Sequence, residues 1–395
     1  MIAWGVLTAA ALIGAELASR WWIRRRTRYH VWPPGTRLES RQDAALFPEA
    51  ERRVRFDVNA DGERGNDVRG DEPGLLRILV AGGSPAECFA LDQETSWPGA
   101  LERLLNSPDN RRTLAARRVH VGNVGRGGIA SEHLDVIFEH LLPQYARLAV
   151  IVVMVGGNDV FQWLEDGAPP SIPASSVAVP DVFPYHPEQR FGWQPARCAL
   201  IEVARRMRRS WLRPLEVRER AAAWVTTARK MRAQALELRA TVPDPAVMVD
   251  HFEDHFRCLL VRARAHADRV LVVRQPWFEK EYTAEEAGRL WHGGLGKAWK
   301  QKISVYYAQD ILNGLMARVD ARAAAVADQL GVEHLDLRPV LAPTLENFYD
   351  FVHYTPAGAA VVARAVGAAM LRPSGSARLF RRALAEVSAD GFTAT

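Results

Sequence analysis

The stretch Arg77-Ile-Leu-Val-Ala-Gly-Gly-Ser84 decides the fold. Ile78 to Ala81 form an unbroken apolar run closed by two glycines and a serine. A short run of this kind is the pattern of a strand buried on both faces, as in a parallel sheet. The glycines permit a tight turn. Ser84 is therefore expected at the carboxyl end of the strand, where open α/β sheets place their sites. An amphipathic helix pattern follows at Ser96 to Leu105. A serine so placed is a candidate nucleophile if a base reaches it. Taken alone, Gly-Gly-Ser serves equally well as an ordinary strand-to-helix turn.

On either side of this stretch, apolar runs alternate with helical patterns. Strands are predicted near 77–82, 118–123, 148–155, 268–274 and 332–337, and helices near 95–106, 130–142, 246–266, 305–330 and 355–371. Strict alternation predicts an α/β fold of the flavodoxin-like, three-layer α/β/α kind, its five-stranded parallel sheet wound in the order 2-1-3-4-5. The first turn lacks Gly-x-Gly-x-x-Gly, and Gly125 to Gly128 lack the Lys-Ser/Thr of a phosphate loop. Neither a dinucleotide nor a nucleotide phosphate site is expected, and the reading calls for no cofactor.

The 395 residues are long for one domain but within reach of a large α/β domain, and 48% hydrophobic content suffices for its core. The net charge of +5 comes from arginine-rich segments rather than a uniform field, and no nucleic-acid-binding signature is present, so nucleic acid is excluded as a partner. Cys88, Cys198 and Cys258 are odd in number and far apart, which implies neither a disulfide framework nor a zinc site. They are expected to be small buried hydrophobes.

Residues Ile2 to Ser19 are nearly all apolar, with Glu16 the exception, and Arg20-Trp-Trp-Ile-Arg-Arg-Arg-Thr-Arg28 follows. Extended through Ile23, the run is just long enough to span a bilayer, with Trp21 and Trp22 as an interfacial anchor. A cleaved signal peptide would need a basic start, which is missing. Residues 1–26 are read as a retained transmembrane anchor, against the alternative of an amphipathic helix lying on the membrane. The positive-inside rule keeps the basic flank cytoplasmic. Residues 27–73, rich in Pro, Arg, Asp, Glu and Gly, read as an extended connecting arm. Within it, Val54 to Gly62 alternates like a short strand ending in an Asp-Gly turn. Residues 373–395 read as a peripheral tail.

Three later stretches carry the chemistry: Asn123-Val-Gly-Arg-Gly-Gly-Ile-Ala-Ser131, Val155-Gly-Gly-Asn-Asp159 and Tyr349-Asp-Phe-Val-His-Tyr-Thr-Pro-Ala-Gly358. His353 is a candidate base, because a neutral imidazole can take a serine proton near neutral pH. Asp350, three residues earlier, would hold the imidazole tautomer. Thr355 and Pro356 open a helix as N-cap and first residue, which would fix the loop carrying His353. Taken in order with Gly82-Gly-Ser84, these stretches resemble the four sequence blocks of the SGNH (GDSL-type) hydrolase superfamily, over about residues 75 to 372. Gly83 stands where that family usually has Asp, and weakened local hydrogen bonding is expected there.

The resemblance implies a hydrolase domain at 74–372, with Ser84, Asp350 and His353 as catalytic residues. It also implies an oxyanion hole made of the backbone N–H groups of Ser84 and Gly128 and the side-chain amide of Asn158, with Gly127 as the alternative to Gly128. Against a minimal member, about residues 161–245 are an insertion. This segment holds a proline-rich loop, Pro169 to Pro195, with Phe183, Tyr185, Phe191 and Trp193. It continues with the arginine cluster Arg205 to Arg213 and a helical stretch to about Ala240. Arg126 is a candidate for binding an anionic substrate. Asp159 is read as a turn cap without chemistry. His251 and His255 have a spacing that can bind metal, but Glu253 and Asp254 crowd that face, so a solvated helix is expected and no metal site is assigned.

The expected activity is that of a serine esterase working through an acyl-enzyme. It would remove or transfer O-acetyl or similar short acyl groups on a carbohydrate such as a cell-surface polysaccharide. Relatives with a similar anchor ending in Glu-Leu-x-x-Arg often act on exported glycans, which points to the outer side of the membrane and opposes the basic flank. A lipid esterase and a non-catalytic scaffold for envelope polysaccharide assembly are the rival readings. No protein partner is indicated.

Overall fold

The computed structural model describes residues 2–25, 28–41, 51–69, 72–173, 177–183, 186, 198–204 and 224–372. Its centre is a five-stranded, wholly parallel sheet built from β3 (Leu75–Gly82), β4 (Arg118–Asn123), β5 (Leu148–Met154), β7 (Ala267–Arg274) and β9 (Glu333–Asp336). The spatial order is β4-β3-β5-β7-β9, the predicted 2-1-3-4-5. The inner strands are buried almost end to end, as their unbroken apolar runs require. Helices α2 (Trp97–Leu105) and α7 (Pro356–Leu371) pack together, while α3 (Ser131–Leu141), α5 (Ala246–His266) and α6 (Gln309–Gln329) form a second group. These two helical layers enclose the sheet. The five strands and their helices lie where the alternation predicts, with two local corrections. Val305–Tyr307 is a short strand, β8, pairing in parallel with β6 (Glu237–Arg239), where continuous helix was expected. Tyr306 and Tyr307 are buried there, and the helix begins only after Ala308.

From β3 the chain moves outward to β4, then crosses back to β5 on the other side of β3. This reversal is the topological switch point at which open α/β sheets bind ligands. It sets the loops after β3, β4 and β5 side by side. The close approach is tightest at Gly82, where a Cβ would lie 1.9 Å from the Met154 carbonyl oxygen. The turn into Ser84 therefore needs glycine on steric grounds.

The N-terminal arm is bound to this frame. Its hairpin, β1 (Arg37–Arg41) with β2 (Arg53–Asp57), leads to a turn at Asp61 and Gly62. Arg64 then pairs with Asn123 at the end of β4 and buries its guanidinium, only 2% of the residue being exposed. That guanidinium donates to the carbonyls of Glu87 (2.6 Å), Cys88 (2.9 Å) and Leu91 (2.7 Å), the chain just beyond Ser84. Trp32 Nε1 donates to Gly125 O at 3.2 Å. The arm thus braces two of the three loops at the switch point.

Beneath the arm lies a buried charged cluster. His120 Nε2 is 3.0 Å from Glu63 and His120 Nδ1 is 3.4 Å from Glu102. Burial works to lower the His120 pKa, yet the two facing carboxylates raise it to about 9 from an ordinary 6.5. Burial works to raise Glu63, and the imidazolium holds it down at about 2, from 4.5. A raised histidine stabilises fully below its unfolded pKa and loses the effect as pH rises through its folded value. A depressed glutamate stabilises above its unfolded pKa and loses the effect as pH falls. The cluster should contribute most between about pH 4.5 and 6.5. His120→Ala is expected to cost roughly 3 kcal/mol near pH 6, because it removes the cation shared by Glu63 and Glu102 and leaves Glu63 with Arg77 and Asn59 as partners. Thermal unfolding should show the gap from wild type narrowing by about pH 10.

One helix among the described residues, within α1 (Ile2–Arg25), is long and apolar enough to cross a membrane, from Trp4 to Ile23. Glu16, its acidic exception, accepts the N–H groups of Ala199 (2.8 Å) and Leu200 (3.0 Å), which open a helical segment at 199–204. The second half of the insertion ends in a helix at 224–233, not near 240, and β6 follows it. Phe183, in the proline-rich loop, is fully buried against Tyr29 and His140. Tyr185, Phe191, Trp193, the Arg205–Arg213 cluster and the 373–395 tail lie outside the described residues. Of the cysteines only Cys88 is buried, while Cys198 and Cys258 are exposed, contrary to expectation.

Candidate active site

Ser84 opens a single helical turn, Ser84–Glu87, directly after β3. Its Oγ lies 2.7 Å from His353 Nε2, although 269 residues separate the two in sequence. His353 Nδ1 in turn lies 2.7 Å and 2.9 Å from the two oxygens of Asp350. The structure therefore brings all three predicted residues into one hydrogen-bonded line. Asp350 is wholly buried, and every hydrogen bond it makes is with a donor. Oδ1 accepts from the backbone N–H of Val352 and His353 at 3.0 Å and 2.9 Å, and Oδ2 from Trp291 Nε1 at 2.8 Å. Burial on its own would raise the Asp350 pKa. The facing His353 ring and these donors outweigh it and hold the carboxyl far below the usual carboxylate range.

The loop carrying Asp350 and His353 runs between β9 and α7 and is fixed at several points. Thr355 caps α7, its side chain accepting from Gly358 N at 3.2 Å, with Pro356 as the first helical residue. Phe278 N donates to Phe351 O at 2.8 Å, and Tyr349 N to His353 O at 3.1 Å. Arg229, in the helix at 224–233, donates to Tyr349 O at 2.5 Å. The rings of Trp291 and Tyr349 lie nearly parallel to that of His353, at centroid distances of 6.2 Å and 5.4 Å. His292 stacks on Trp291 at 3.6 Å. Its burial, together with the nearby cations, lowers its pKa to about 3 against the pull of Asp350, so it is neutral beside the line.

The predicted oxyanion donors sit on the three neighbouring loops. Gly128 follows β4, has φ +77 and faces open space. The alternative donor, Gly127, is already committed, since its N–H donates to Glu87 at 2.5 Å. Asn158 lies in the first turn of α4 (Gly157–Glu165), and its Nδ2 donates to Ile129 O at 2.9 Å. A primary amide carries two N–H groups, so a second remains for a ligand. A Cβ on Gly83 would stand 2.7 Å from Asn158 Nδ2. A side chain at 83 would therefore require the Asn158 amide to shift. Asn158→Ala should lower kcat by roughly 10²–10³ with little change in KM, because an oxyanion donor acts mostly in the transition state. A rise in KM alone would instead make Asn158 a substrate-binding residue.

Two side chains sit differently from the sequence reading. Asp159 caps a neighbouring helix rather than its own turn, accepting Ser131 N at 3.1 Å and Ser131 Oγ at 2.5 Å. Its burial raises its pKa to about 6 despite these donors. Arg126 donates to Val182 O at 2.8 Å, which ties its side chain to that segment. Arg64 and Arg229 were missed altogether, although they hold the serine turn and the histidine loop respectively.

No protein-family model matches the chain, and no curated protein sequence matches it. Among solved structures it is similar to Axe2, an acetylxylan esterase from Geobacillus stearothermophilus, at 14% identity and a TM-score of 0.39, over 74% of this chain and 92% of that one. It is also similar to a member of the lipolytic protein G-D-S-L family from Veillonella parvula, at 10% identity and a TM-score of 0.39, over 74% of this chain and 96% of that one. The chain has a five-stranded parallel α/β/α fold, with Ser84, His353 and Asp350 hydrogen-bonded in line at the switch point of its sheet.

Proposed function

We propose that the chain is a membrane-anchored serine esterase that removes, or transfers, O-acetyl or similar short acyl groups on a carbohydrate. The observation that carries the reading is the continuous line from Ser84 Oγ through His353 to buried Asp350, ending at a partly exposed serine. In this reading Ser84 Oγ attacks the ester carbonyl while His353 Nε2 takes its proton. Asp350 stabilises the imidazolium and fixes its tautomer. The N–H groups of Ser84 and Gly128 and the Asn158 amide receive the developing oxyanion, each contributing about 3 kcal/mol in the transition state. His353 returns the proton to the departing sugar oxygen, leaving an acyl group on Ser84. Water, or a second sugar hydroxyl, then attacks that acyl group with His353 again as base.

The sugar substrate is supported by the aromatic side chains beside the loop that carries His353. Phe89, Trp224 and Trp291 are partly exposed and pack beside Tyr349, and Trp224 meets Trp291 edge to face at 4.7 Å. Flat aromatic side chains of this kind suit the apolar faces of sugar rings. Residues 1–26 would serve as anchor, 27–73 as brace and 74–372 as the catalytic domain. Hydrolysis of p-nitrophenyl esters of increasing chain length tests the substrate class. A sugar esterase should prefer acetate and release acetate from acetylated oligosaccharides, and Trp224→Ala should raise KM for the oligosaccharide while sparing p-nitrophenyl acetate. A preference for chains of about eight carbons or more, with salt-sensitive vesicle binding, would favour a lipid esterase instead.

A further inference from the structure

His251 and His255, read from the sequence as a solvated helix face, turn inward against α3. His251 Nε2 lies 3.4 Å from Glu132 Oε2, and His255 Nδ1 lies 3.5 Å from Asp135 Oδ2. The two imidazole rings are 4.7 Å apart. All four side chains are largely withdrawn from solvent, with 21% (His251), 12% (Glu132), 20% (His255) and 13% (Asp135) exposed. One ligand atom each from Glu132, His251 and His255 falls within 4.8 Å of the other two.

We propose that Glu132, His251 and His255 bind one divalent transition-metal ion, zinc above all, which fastens α5 to α3. The donor set is two imidazoles one helical turn apart plus a carboxylate from the facing helix, a combination that zinc accepts. Tetrahedral zinc with bonds of about 2.0–2.2 Å holds its ligand atoms about 3.4 Å apart. The separation of His251 Nε2 from Glu132 Oε2 already meets that requirement. Asp135 supplies the outer carboxylate that metal-bound histidines commonly have. By accepting from Nδ1 of His255, it leaves Nε2 of that ring for the ion. The second oxygen of Glu132 accepts Val177 N at 3.3 Å, which orients the carboxylate toward His251. The residual exposure leaves room for water as the fourth ligand.

The site also has a route to the oxyanion loop. Glu132 follows Ser131, whose N–H and hydroxyl hold Asp159, and Asp159 follows Asn158. A metal that fixes the start of α3 would therefore steady the loop bearing Asn158 without touching the reacting atoms.

The test is zinc titration of the detergent-solubilised full chain by calorimetry, with thermal unfolding and the visible spectrum of the cobalt(II) form as further readouts. Wild type should bind one equivalent at micromolar or tighter affinity, unfold at a higher temperature with zinc, and give a tetrahedral cobalt spectrum. His251→Ala and Glu132→Gln should each remove that binding event, and Asp135→Asn should weaken it roughly 10- to 100-fold. Circular dichroism would verify that the variants fold, with Glu132→Gln as the variant that best preserves shape. Absence of stoichiometric zinc binding by the wild type, or undiminished binding by both His251→Ala and Glu132→Gln, would overturn the proposal.

Discussion

Exchanging Ser84 for Ala, or His353 for Ala, should each lower kcat on p-nitrophenyl acetate on the order of 10⁶-fold, and the double variant should be no worse than either single one. The reason is the 2.7 Å contact between Ser84 Oγ and His353 Nε2. A serine hydroxyl is a poor nucleophile until a base takes its proton. The base has no other task in this step, so removing either partner removes the whole effect. The residual activity should be that of the oxyanion donors and substrate binding alone. Ser84 is partly exposed and its hydroxyl braces no element, so Ser84→Ala should unfold at the wild-type temperature. Independent, multiplying losses in the double variant would mean that the two side chains do not work as a unit.

Asp350→Asn should cost about 10⁴ in kcat with the geometry kept. The four groups around the Asp350 carboxylate, Val352 N, His353 N, Trp291 Nε1 and His353 Nδ1, all act as donors to it. A carboxylate satisfies them all, whereas an amide must turn one N–H toward a donor or make His353 switch tautomer. A switched tautomer puts the proton on Nε2, where it can no longer accept from Ser84. The exchange should also cost stability. Asp350 has a depressed pKa in the folded chain, so its contribution is present above its unfolded pKa and lost as pH falls. The excess stability of wild type over Asp350→Asn should accordingly shrink in acid, as thermal unfolding across pH would show. A kcat loss below about tenfold would mean that Asp350 does not set the tautomer.

Much of this was legible in the sequence, for physical reasons. The strands of a doubly covered sheet must be apolar on both faces, so Ile78 to Ala81 and Leu148 to Met154 stand out as unbroken runs. Asp350 and His353 share one loop, so their relation is local and needs no knowledge of the fold. Supports that act across the fold were hidden. Arg64 sits in an arm rich in charge, glycine and proline, a pattern that reads as solvent-exposed, yet it is fully desolvated on carbonyls near the serine turn. Arg229 belongs to an inserted helix whose partner, the Tyr349 carbonyl, lies 120 residues away. In sequence, the acidic neighbours of His251 and His255 are Glu253 and Asp254. The carboxylates that face them come from α3. The strand at Val305–Tyr307 is not separable in sequence from the start of α6, because three apolar residues before a helix carry no period of their own.

The central claim is that Ser84, activated by His353, is the nucleophile of an acyl-enzyme. Its most direct test is reaction of the full chain with a fluorophosphonate probe, followed by peptide mass spectrometry to locate the adduct. The expected result is a single phosphonylated residue, Ser84, with labelling absent in Ser84→Ala and strongly slowed in His353→Ala. An adduct on another residue, or equal labelling of the folded Ser84→Ala chain, would contradict it.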